Sequence, residues 1–398
     1  MYVCGDAASG IDRRIRFSSF PTMLRHIRRL ALQLQRNAGV FRRVMDSKWR
    51  TNRLLILCYH GISRIDEHLW RPSLYMEPEI LRQRMEILKQ GEYNVLPLGE
   101  GLRRLRAGQL PPRSVAITFD DGGYDFYAAA FPALKSYGFP ITVYQTTYYS
   151  DYQKPIFNLV CSYMLWKRRD QVLQGGNQFG FSEPLDLSTE NNRAKIVRKL
   201  VLDAEASNLN GAQKDDLAGR LAKHLEFPYD EITSSRLLHL MNSSERAELA
   251  AAGVDFQLHT HRHRTPIDET LFRKEIEDNR RSLQHLGDTA IHFCYPSGIY
   301  RPEFLSWLQK ERVVSATTCD AGLASKRSNP LLLPRLVDTS SRTALEFEAW
   351  LTGVASLLTL RKPAPQIIPA AAGSASRSND QPHSVIEREA GRNDWHES

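Results

Sequence analysis

Long apolar runs are the feature that this 398-residue sequence most clearly lacks. No stretch approaches the ~18 consecutive apolar residues that a membrane-spanning helix needs, and the first residues show neither the apolar core nor the small-residue cleavage site of a secretory signal. The five cysteines are odd in number and scattered, without zinc-knuckle or redox spacing, so we expect them to be reduced and mostly buried. These absences predict a cytoplasmic protein.

Outside its first 53 residues the chain also lacks an excess of basic charge. Residues 1–53 hold 12 Lys/Arg against 3 Asp, a net charge of +9, so the rest of the chain carries −1 of the total of +8. A near-neutral body does not present the basic face of a nucleic-acid-binding domain, and we predict no nucleic-acid partner.

The basic excess lies in a segment with helical periodicity. Between Pro21 and Met45, apolar residues recur at roughly helical spacing with arginines between them. This pattern favours either an amphipathic helix on an anionic membrane surface, which would place residues 21–45 at the inner membrane, or a basic helix that packs on the body or frays.

Four regions are predicted along the chain. Residues 1–53 form a basic helical leader, and residues 54–345 form the main domain, in which short apolar strands alternate with helices. This alternation is typical of parallel βα units, hence a barrel or a doubly wound sheet. It is interrupted at about 151–240 by charged helical stretches, which we interpret as a helical insertion. Residues 362–398 have few bulky apolar side chains and are predicted to be disordered.

Two acidic residues directly follow an apolar strand in the segment Thr118-Phe119-Asp120-Asp121-Gly122-Gly123. Neighbouring side chains at a strand end point to opposite sides, so one carboxylate can ligate a cation while the other reaches a water bound to it. An Asp-Gly turn without chemical function is the more common use of such a dipeptide, and this segment alone does not decide between the two.

Three histidines in five residues, His259-Thr260-His261-Arg262-His263, directly follow another apolar strand. Histidines four apart can converge on one metal ion, and a solvated surface cluster is the alternative. A third loop, Tyr295-Pro296-Ser297-Gly298, also closes a strand and could form a pocket wall or simply a strand-to-loop transition. Asp, His and His from two strand ends of one sheet are a more specific signal than either segment alone.

These segments together resemble the polysaccharide deacetylases, the NodB homology family also called carbohydrate esterase family four. Thr118–Gly122 is similar to the family's first motif and His259-Thr260-x-x-His263 to its second. Tyr295-Pro296-x-Gly298 and Cys58-Tyr59-His60-Gly61 resemble the exopolysaccharide deacetylase branch. The resemblance implies a distorted (β/α) barrel with a helical insertion and with its site at the carboxyl ends of the strands.

The resemblance also implies roles for individual residues. Asp121, His259 and His263 would ligate a divalent metal, most often Zn²⁺ with Co²⁺ or Ni²⁺ as alternatives, and Asp120 would be the general base. Tyr295, through its backbone N–H, and Pro296 would contact substrate. The motif that supplies the family's general acid is missing, because its nearest equivalent ends in Arg335, which we group with the substrate-binding residues. His60 is our candidate for the missing acid. The alternative is that His60 only hydrogen-bonds Asp121 or binds the sugar, and that Asp120 returns its proton to the amine.

The function implied is hydrolytic removal of N-acetyl groups from a glycan or a sugar precursor. The alternatives are the same metal-site chemistry on a non-sugar amide and a non-catalytic glycan-binding domain.

Overall fold

A computed structural model describes residues 20–287 and 290–358, with side chains described from His26 onward. The leader before Phe20 and the predicted disordered tail, 362–398, lie outside the described residues. Four cysteines fall inside them, and three of these, Cys58, Cys161 and Cys294, are free and buried, as expected. Among the described helices, none has the length and apolarity that crossing a bilayer requires.

The strands occur in two groups, before and after a long helical segment. They are β1 (Arg53–Tyr59), β2 (Gly61–Ile62), β3 (Tyr75–Met76), β4 (Asn94–Val95), β5 (Ser114–Phe119), β6 (Ile141–Gln145), β7 (Val172–Leu173), β8 (Leu185–Asp186), β9 (Asp255–Leu258), β10 (His292–Cys294), β11 (Ser315–Ala321), β12 (Ala324–Ser325) and β13 (Leu333–Val337).

The helices fill the intervals between these strands. They are α1 (Phe20–Asn37), α2 (Val40–Met45), α3 (Lys48–Thr51), α4 (Glu67–Trp70), α5 (Pro78–Gln90), α6 (Leu98–Ala107), α7 (Phe131–Lys135), α8 (Tyr148–Tyr152), α9 (Phe157–Lys167), α10 (Glu190–Ala206), α11 (Gly211–His224), α12 (Tyr229–Ser235), α13 (Ser243–Ala251), α14 (Glu269–Leu283), α15 (Pro302–Lys310), α16 (Ala344–Thr352) and α17 (Val354–Leu358).

Seven parallel strands close into a barrel. Strand β1 pairs with β5 on one side and with β13 on the other, and the ring continues through β6, β9, β10 and β11. The predicted (β/α) barrel is therefore confirmed. Strand β4 adds to the start of β5, and β12 pairs antiparallel with the start of β1.

Alternation along the strands divides the barrel into two apolar layers. In β1, Leu55 and Leu57 belong to the core between the strands and the outer helices, whereas Leu54 and Ile56 pack with inner residues and with helix α6 below them. Because side chains alternate with a period of two, the inward series of β1 continues to Cys58 and that of β5 to Thr118 and Asp120. These inward series therefore bring Cys58, Thr118 and Asp120 to the carboxyl-terminal rim of the barrel.

The segment predicted as a helical insertion contains α9 to α12 and the small antiparallel pair β7–β8, which sequence patterns did not indicate. It has its own apolar cluster, in which Val160 and Met164 of α9 pack with Leu200 of α10 and Leu221 of α11. The segment therefore stabilises itself largely by local packing while its ends remain attached to the barrel rim.

The leader helices pack against the body. Leu32 of α1 is buried in the main core, and the Arg36 guanidinium lies 3.2 Å from the Glu348 carboxylate of α16. Arg50 of α3 is fully buried, with its Nε donating to the Leu351 carbonyl and its Nη2 to the Ser114 carbonyl. Helices α1 to α3 thus cover the amino-terminal side of the barrel. Of the two alternatives for the leader, packing is observed, although α1 keeps an exposed apolar face.

Candidate metal centre

Three side chains converge where β5 and β9 end. The Oδ1 atom of Asp121 lies 3.2 Å from Nε2 of His259 and 3.1 Å from Nε2 of His263. The three groups are close enough to share one ion, and His259 is almost completely buried. The structure thus brings together the three residues predicted from the two sequence motifs.

The hydrogen bonds of His259 show which of its two ring nitrogens carries the proton. The other nitrogen faces the cluster with a lone pair. Its Nδ1 lies 2.8 Å from the carbonyl oxygen of Cys294, and a carbonyl can only accept, so Nδ1 carries the proton. In the neutral imidazole Nε2 is then an acceptor that faces the carboxylate of Asp121, itself an acceptor. Two acceptors at 3.2 Å require a cation or a shared proton between them.

The surroundings of Asp121 also favour a cation between these three side chains. Within the described part of the chain, Asp121 Oδ1 is buried without a hydrogen-bond donor. Buried polar atoms are rarely left without partners, so this oxygen is positioned for a ligand. One carboxylate oxygen and two imidazole nitrogens, with room for further ligands, form a donor set typical of catalytic Zn²⁺ sites. The residues present fit a divalent metal.

Local backbone geometry holds the cluster in place. Asp121 has φ 70° and His263 has φ 54°, left-handed values that are unfavourable for residues with a Cβ. Gly122 has φ 74°, and a Cβ at this position would lie 2.1 Å from the Gln145 side-chain oxygen. Strained backbone of this kind concentrates at functional sites. The glycine after Asp121 is therefore required by both backbone conformation and space.

Asp120 lies next to the cluster but has different partners. Nη1 and Nη2 of Arg335 each donate to one of its carboxylate oxygens at 2.7 Å. Burial alone would raise the pKa of Asp120, but the adjacent Arg335 guanidinium holds it well below its usual value. The carboxylate is therefore ionised and fixed in orientation.

Other groups of possible ligands share Asp120. Cys58, His60 and Asp120 form one group, and Asp120, His259 and Cys294 form another. In both, a cation would lie beside the buried Arg335 charge and would compete with it for the same carboxylate. The cluster of Asp121, His259 and His263 has no such competitor and is the candidate metal centre.

His60 reaches the same rim from the end of β1. Its Nε2 lies 3.7 Å from Asp120 Oδ2, and its side chain is 19% exposed. His261, in contrast, turns away from the cluster, since its Nδ1 lies 2.8 Å from the Thr147 hydroxyl. The middle histidine of the motif is therefore not a ligand.

Two of the three predicted substrate contacts, Arg335 and Tyr295, have other hydrogen-bond partners in the structure. Arg335 is completely buried and fully engaged with Asp120 and with the Thr318 carbonyl, so it cannot reach substrate. The backbone N–H of Tyr295 donates to the Thr317 carbonyl at 3.1 Å and is not free to stabilise an oxyanion. Tyr295 and Pro296 are both buried, and the Cys294 carbonyl just before them orients His259. The segment from Cys294 to Pro296 therefore helps to hold His259 in position.

Asn279 is a site residue that our sequence analysis missed. Its Oδ1 accepts from the His259 backbone N–H at 2.9 Å, and its Nδ2 donates to the Gln145 carbonyl at 2.9 Å. It is completely buried in α14 and continues the apolar face of Phe272 and Ile276. An asparagine at an apolar position of an amphipathic helix was the available signal. Asn279 joins the ends of β6 and β9.

Comparisons with known proteins agree with the motifs. Residues 107–180 match the family model described as polysaccharide deacetylase. The poly-beta-1,6-N-acetyl-D-glucosamine N-deacetylases of Escherichia coli K12 and O157:H7 are each 26% identical over 96 residues, covering 24% of this chain. The chain spans about a seventh of these relatives, since the match covers 14% of their length. The predicted family resemblance is confirmed: residues 107–180, which include the Asp120-Asp121 segment, are similar to the polysaccharide deacetylase family.

Two solved structures align with about three quarters of this chain. The Streptococcus pyogenes deacetylase PplD in complex with acetate aligns with a TM-score of 0.48 and 19% identity, covering 74% of this chain and 96% of that one. IcaB from Ammonifex degensii aligns with a TM-score of 0.47 and 16% identity, covering 75% of this chain and 97% of that one.

Proposed function

We propose that this protein is a metal-dependent hydrolase that removes N-acetyl groups from a glycan or a sugar precursor. The observation that carries the proposal is the placement of Asp121, His259 and His263 around one point at the barrel rim, with the ionised Asp120 beside them. The similarity to the polysaccharide deacetylase family supplies the substrate class. Asp121, His259 and His263 would hold the ion, for which Zn²⁺ suits the donor set best and Co²⁺ or Ni²⁺ are alternatives.

The chemistry supplied by such an ion, when bound, is Lewis acidity toward a carbonyl oxygen and a lowered pKa of water. The chain's own residues provide the proton transfers. Asp120, held ionised by Arg335, accepts the proton of the attacking water. His60, on the same rim, is positioned to donate a proton to the leaving amine. His259 is held in its Nε2-acceptor form by the Cys294 carbonyl, so the ligand set is formed before substrate arrives.

Acetate release from N-acetylglucosamine oligomers, measured together with the metal content of the purified protein, tests this proposal. Asp120→Asn should retain the metal and lose ~10²–10⁴-fold in turnover, because the water loses its proton acceptor. Release from a simple aryl acetamide but not from any glycan would favour the non-sugar amide alternative. Glycan binding without acetate release in the metal-loaded protein would favour the non-catalytic alternative.

We further propose that the protein works at the cytoplasmic face of the inner membrane through α1. Ile27, Leu30 and Leu34 are exposed by 51%, 65% and 69%, and they recur at helical spacing on the side of α1 away from Leu32. Arg29 and Arg36 lie on the opposite side of α1 and pair with Glu346 and Glu348, so the proposal rests mainly on the apolar stripe. The exposed Arg28 would meet anionic headgroups.

Replacement of Ile27, Leu30 and Leu34 together by Ser should abolish sedimentation with vesicles that contain anionic lipid. The packing of Leu32 would be left intact, so the fold should be retained. The matched control replaces Ile267 and Leu271, which are exposed by 64% and 50% elsewhere on the surface. Equal sedimentation of the triple variant and the wild type would refute the proposal.

A further inference from the structure

A cavity of about 460 Å³ opens beside the candidate metal centre, between the barrel rim and the inserted helices. His263 lines it from the barrel side, and Asn158 of α9, Glu205 of α10 and Lys214 of α11 line it from the insertion. Its volume falls within the range of roughly 300–1,000 Å³ that is typical of ligand sites. A substrate held at His263 would therefore extend into a space bounded by the insertion.

The walls of this cavity carry an excess of positive charge. Lys214, Arg262 and Arg264 line it, against the single carboxylate of Glu205. Tyr148 lies among these cations: the Arg262 guanidinium carbon is 5.4 Å and Lys214 Nζ is 5.9 Å from the centre of its ring. An uncharged N-acetylglucosamine oligomer has no group that would use three cations.

The two arginines are held in place from outside the cavity. Glu275, which is buried and does not line the cavity, accepts from Arg264 Nε at 2.7 Å and from Arg262 Nη1 at 3.2 Å. Arg262 Nη1 also lies 3.6 Å from the carboxylate of Asp278, which likewise does not line the cavity. Each guanidinium has five N–H donors in a fixed fork, so one edge can bind Glu275 while donors remain for a ligand. Fixed arginines of this kind suit phosphate and carboxylate groups.

Lys214 has no such partner. Within the described residues, no carboxylate lies within the 4 Å ion-pair distance of its Nζ. Burial lowers the pKa of Lys214; the Glu205 carboxylate opposes this effect, and the charges of Arg264 and Arg262 add to it. Lys214 also lies in the first turns of α11, whose amino-terminal end adds partial positive charge to the same wall. An anion in the cavity would relieve the mutual repulsion of these groups.

We propose that this cavity binds an anionic group of the substrate, a phosphate or a carboxylate, next to the N-acetylated sugar that is positioned at Asp121, His259 and His263. This inference rests on the proposed deacetylase function and narrows its substrate to acidic glycans or phosphorylated sugar precursors. The inserted helices then select the substrate, and the barrel carries the reaction.

The test compares three matched substrates on the metal-loaded full chain: neutral tri-N-acetylchitotriose, the same oligomer oxidised to a C6 carboxylate, and the same oligomer as its 1-phosphate. The wild type should show a higher kcat/KM on one or both anionic substrates, and the better of the two identifies the group. Lys214→Gln should lower kcat/KM on that substrate by roughly tenfold, as expected for one lost charged contact, and leave the neutral substrate within about twofold.

Two further variants separate charge from structure. Lys214→Arg should restore most of the preference, because it keeps the charge. Lys223→Gln, on the exposed side of the same helix, should leave all three rates unchanged. A wild type that shows no preference for the anionic substrates, or a Lys214→Gln variant that loses the same factor on all three, would overturn the inference.

Failure of the proposed function would be recognised separately. If no substrate releases acetate, binding of N-acetylglucosamine 1-phosphate, measured by calorimetry, still tests the cavity. Binding that is about tenfold weaker in Lys214→Gln than in Lys223→Gln would support the anion site, and equal affinities would overturn it.

Discussion

Arg335 binds Asp120 through two parallel hydrogen bonds of 2.7 Å, although the two residues lie 215 positions apart in the chain. Asp120 directly follows β5 and Arg335 lies within β13, and both strands flank β1 in the barrel. Both side chains are almost completely shielded from solvent, so their interaction is much less screened by salt than a surface ion pair. Strand order in the closed barrel, rather than sequence proximity, therefore sets the protonation state of the proposed base.

Replacing Arg335 by Met should change the pH dependence of the reaction. Without the guanidinium, burial dominates and the pKa of Asp120 rises from its lowered value. The base is then protonated at a higher pH, so the acidic limb of the kcat/KM profile should move to higher pH. A buried pair that loses one partner is also destabilised, typically by about 3–5 kcal/mol, and the variant should melt earlier.

The profile is measured between pH 5 and 9 with acetate release normalised to bound metal. Arg335→Lys serves as the matched variant, because it keeps the charge but not the two parallel bonds, and it should shift the limb less. An acidic limb that stays in place in Arg335→Met would show that Arg335 does not control Asp120.

His259→Ala and His263→Ala should each lose the bound metal, and acetate release with it. Each removes one of three protein ligands, whereas the barrel core does not depend on the ion. His261→Ala is the control from the same motif, since His261 faces Thr147 and should keep full occupancy. Metal content is measured by elemental analysis and folding by circular dichroism. Full occupancy in His259→Ala, or equal loss in all three variants, would contradict the assignment of ligands.

The barrel and most of the candidate site could be predicted from the sequence because the informative residues are local. Asp120 and Asp121 directly follow one strand, and His259 to His263 directly follow another, so the parallel topology alone brings them to one rim. The role of Arg335 could not be predicted in this way. Strand β13 runs from Leu333 to Val337 and directs Arg335 inward to Asp120, a contact across the barrel that leaves no local pattern in the sequence.

Other features that the sequence left undecided also depend on long-range contacts. The register of β10 against β11 places the Tyr295 N–H opposite the Thr317 carbonyl, to which it donates. This register depends on strand pairing and is not visible in the local sequence. The packing of α1 on α16 depends on residues more than 300 positions apart, such as Arg36 and Glu348. Composition and periodicity report which face of an element is apolar, but not which distant element covers it.

His60→Ala tests the proposed general acid. The imidazole lies 3.7 Å from Asp120 and is part-exposed on the rim, where a leaving amine could reach it. If His60 protonates the amine, kcat should fall and the alkaline limb of the pH profile should shift or disappear, with metal confirmed in place. An unchanged kcat with only a raised KM would assign His60 to substrate binding, and the proton would then return to the amine from Asp120.

Asp125 gives a prediction about stability rather than activity. This carboxyl group is buried beside the rim, where it accepts a hydrogen bond from the Ile62 backbone N–H. Burial raises its pKa to about 7, and the nearby Glu67 charge adds to the effect, against the opposing Ile62 hydrogen bond. In the unfolded chain an aspartate titrates near ~3.9, so between about pH 4 and pH 7 the folded state holds a proton that the unfolded state has lost.

The contribution of Asp125 to the free energy of unfolding should therefore be fully present below about pH 4 and decline until about pH 7. Asp125→Asn removes this titration while keeping an oxygen that can accept from Ile62. Its stability relative to the wild type should rise across this interval, by at most about 4 kcal/mol, and level off above it. Asp125→Ala should show the same pH trend but be less stable throughout, because the Ile62 N–H loses its acceptor. Denaturant unfolding at pH 4.5, 6 and 8 measures the differences, and a constant difference between Asp125→Asn and the wild type would show that Asp125 is ionised throughout.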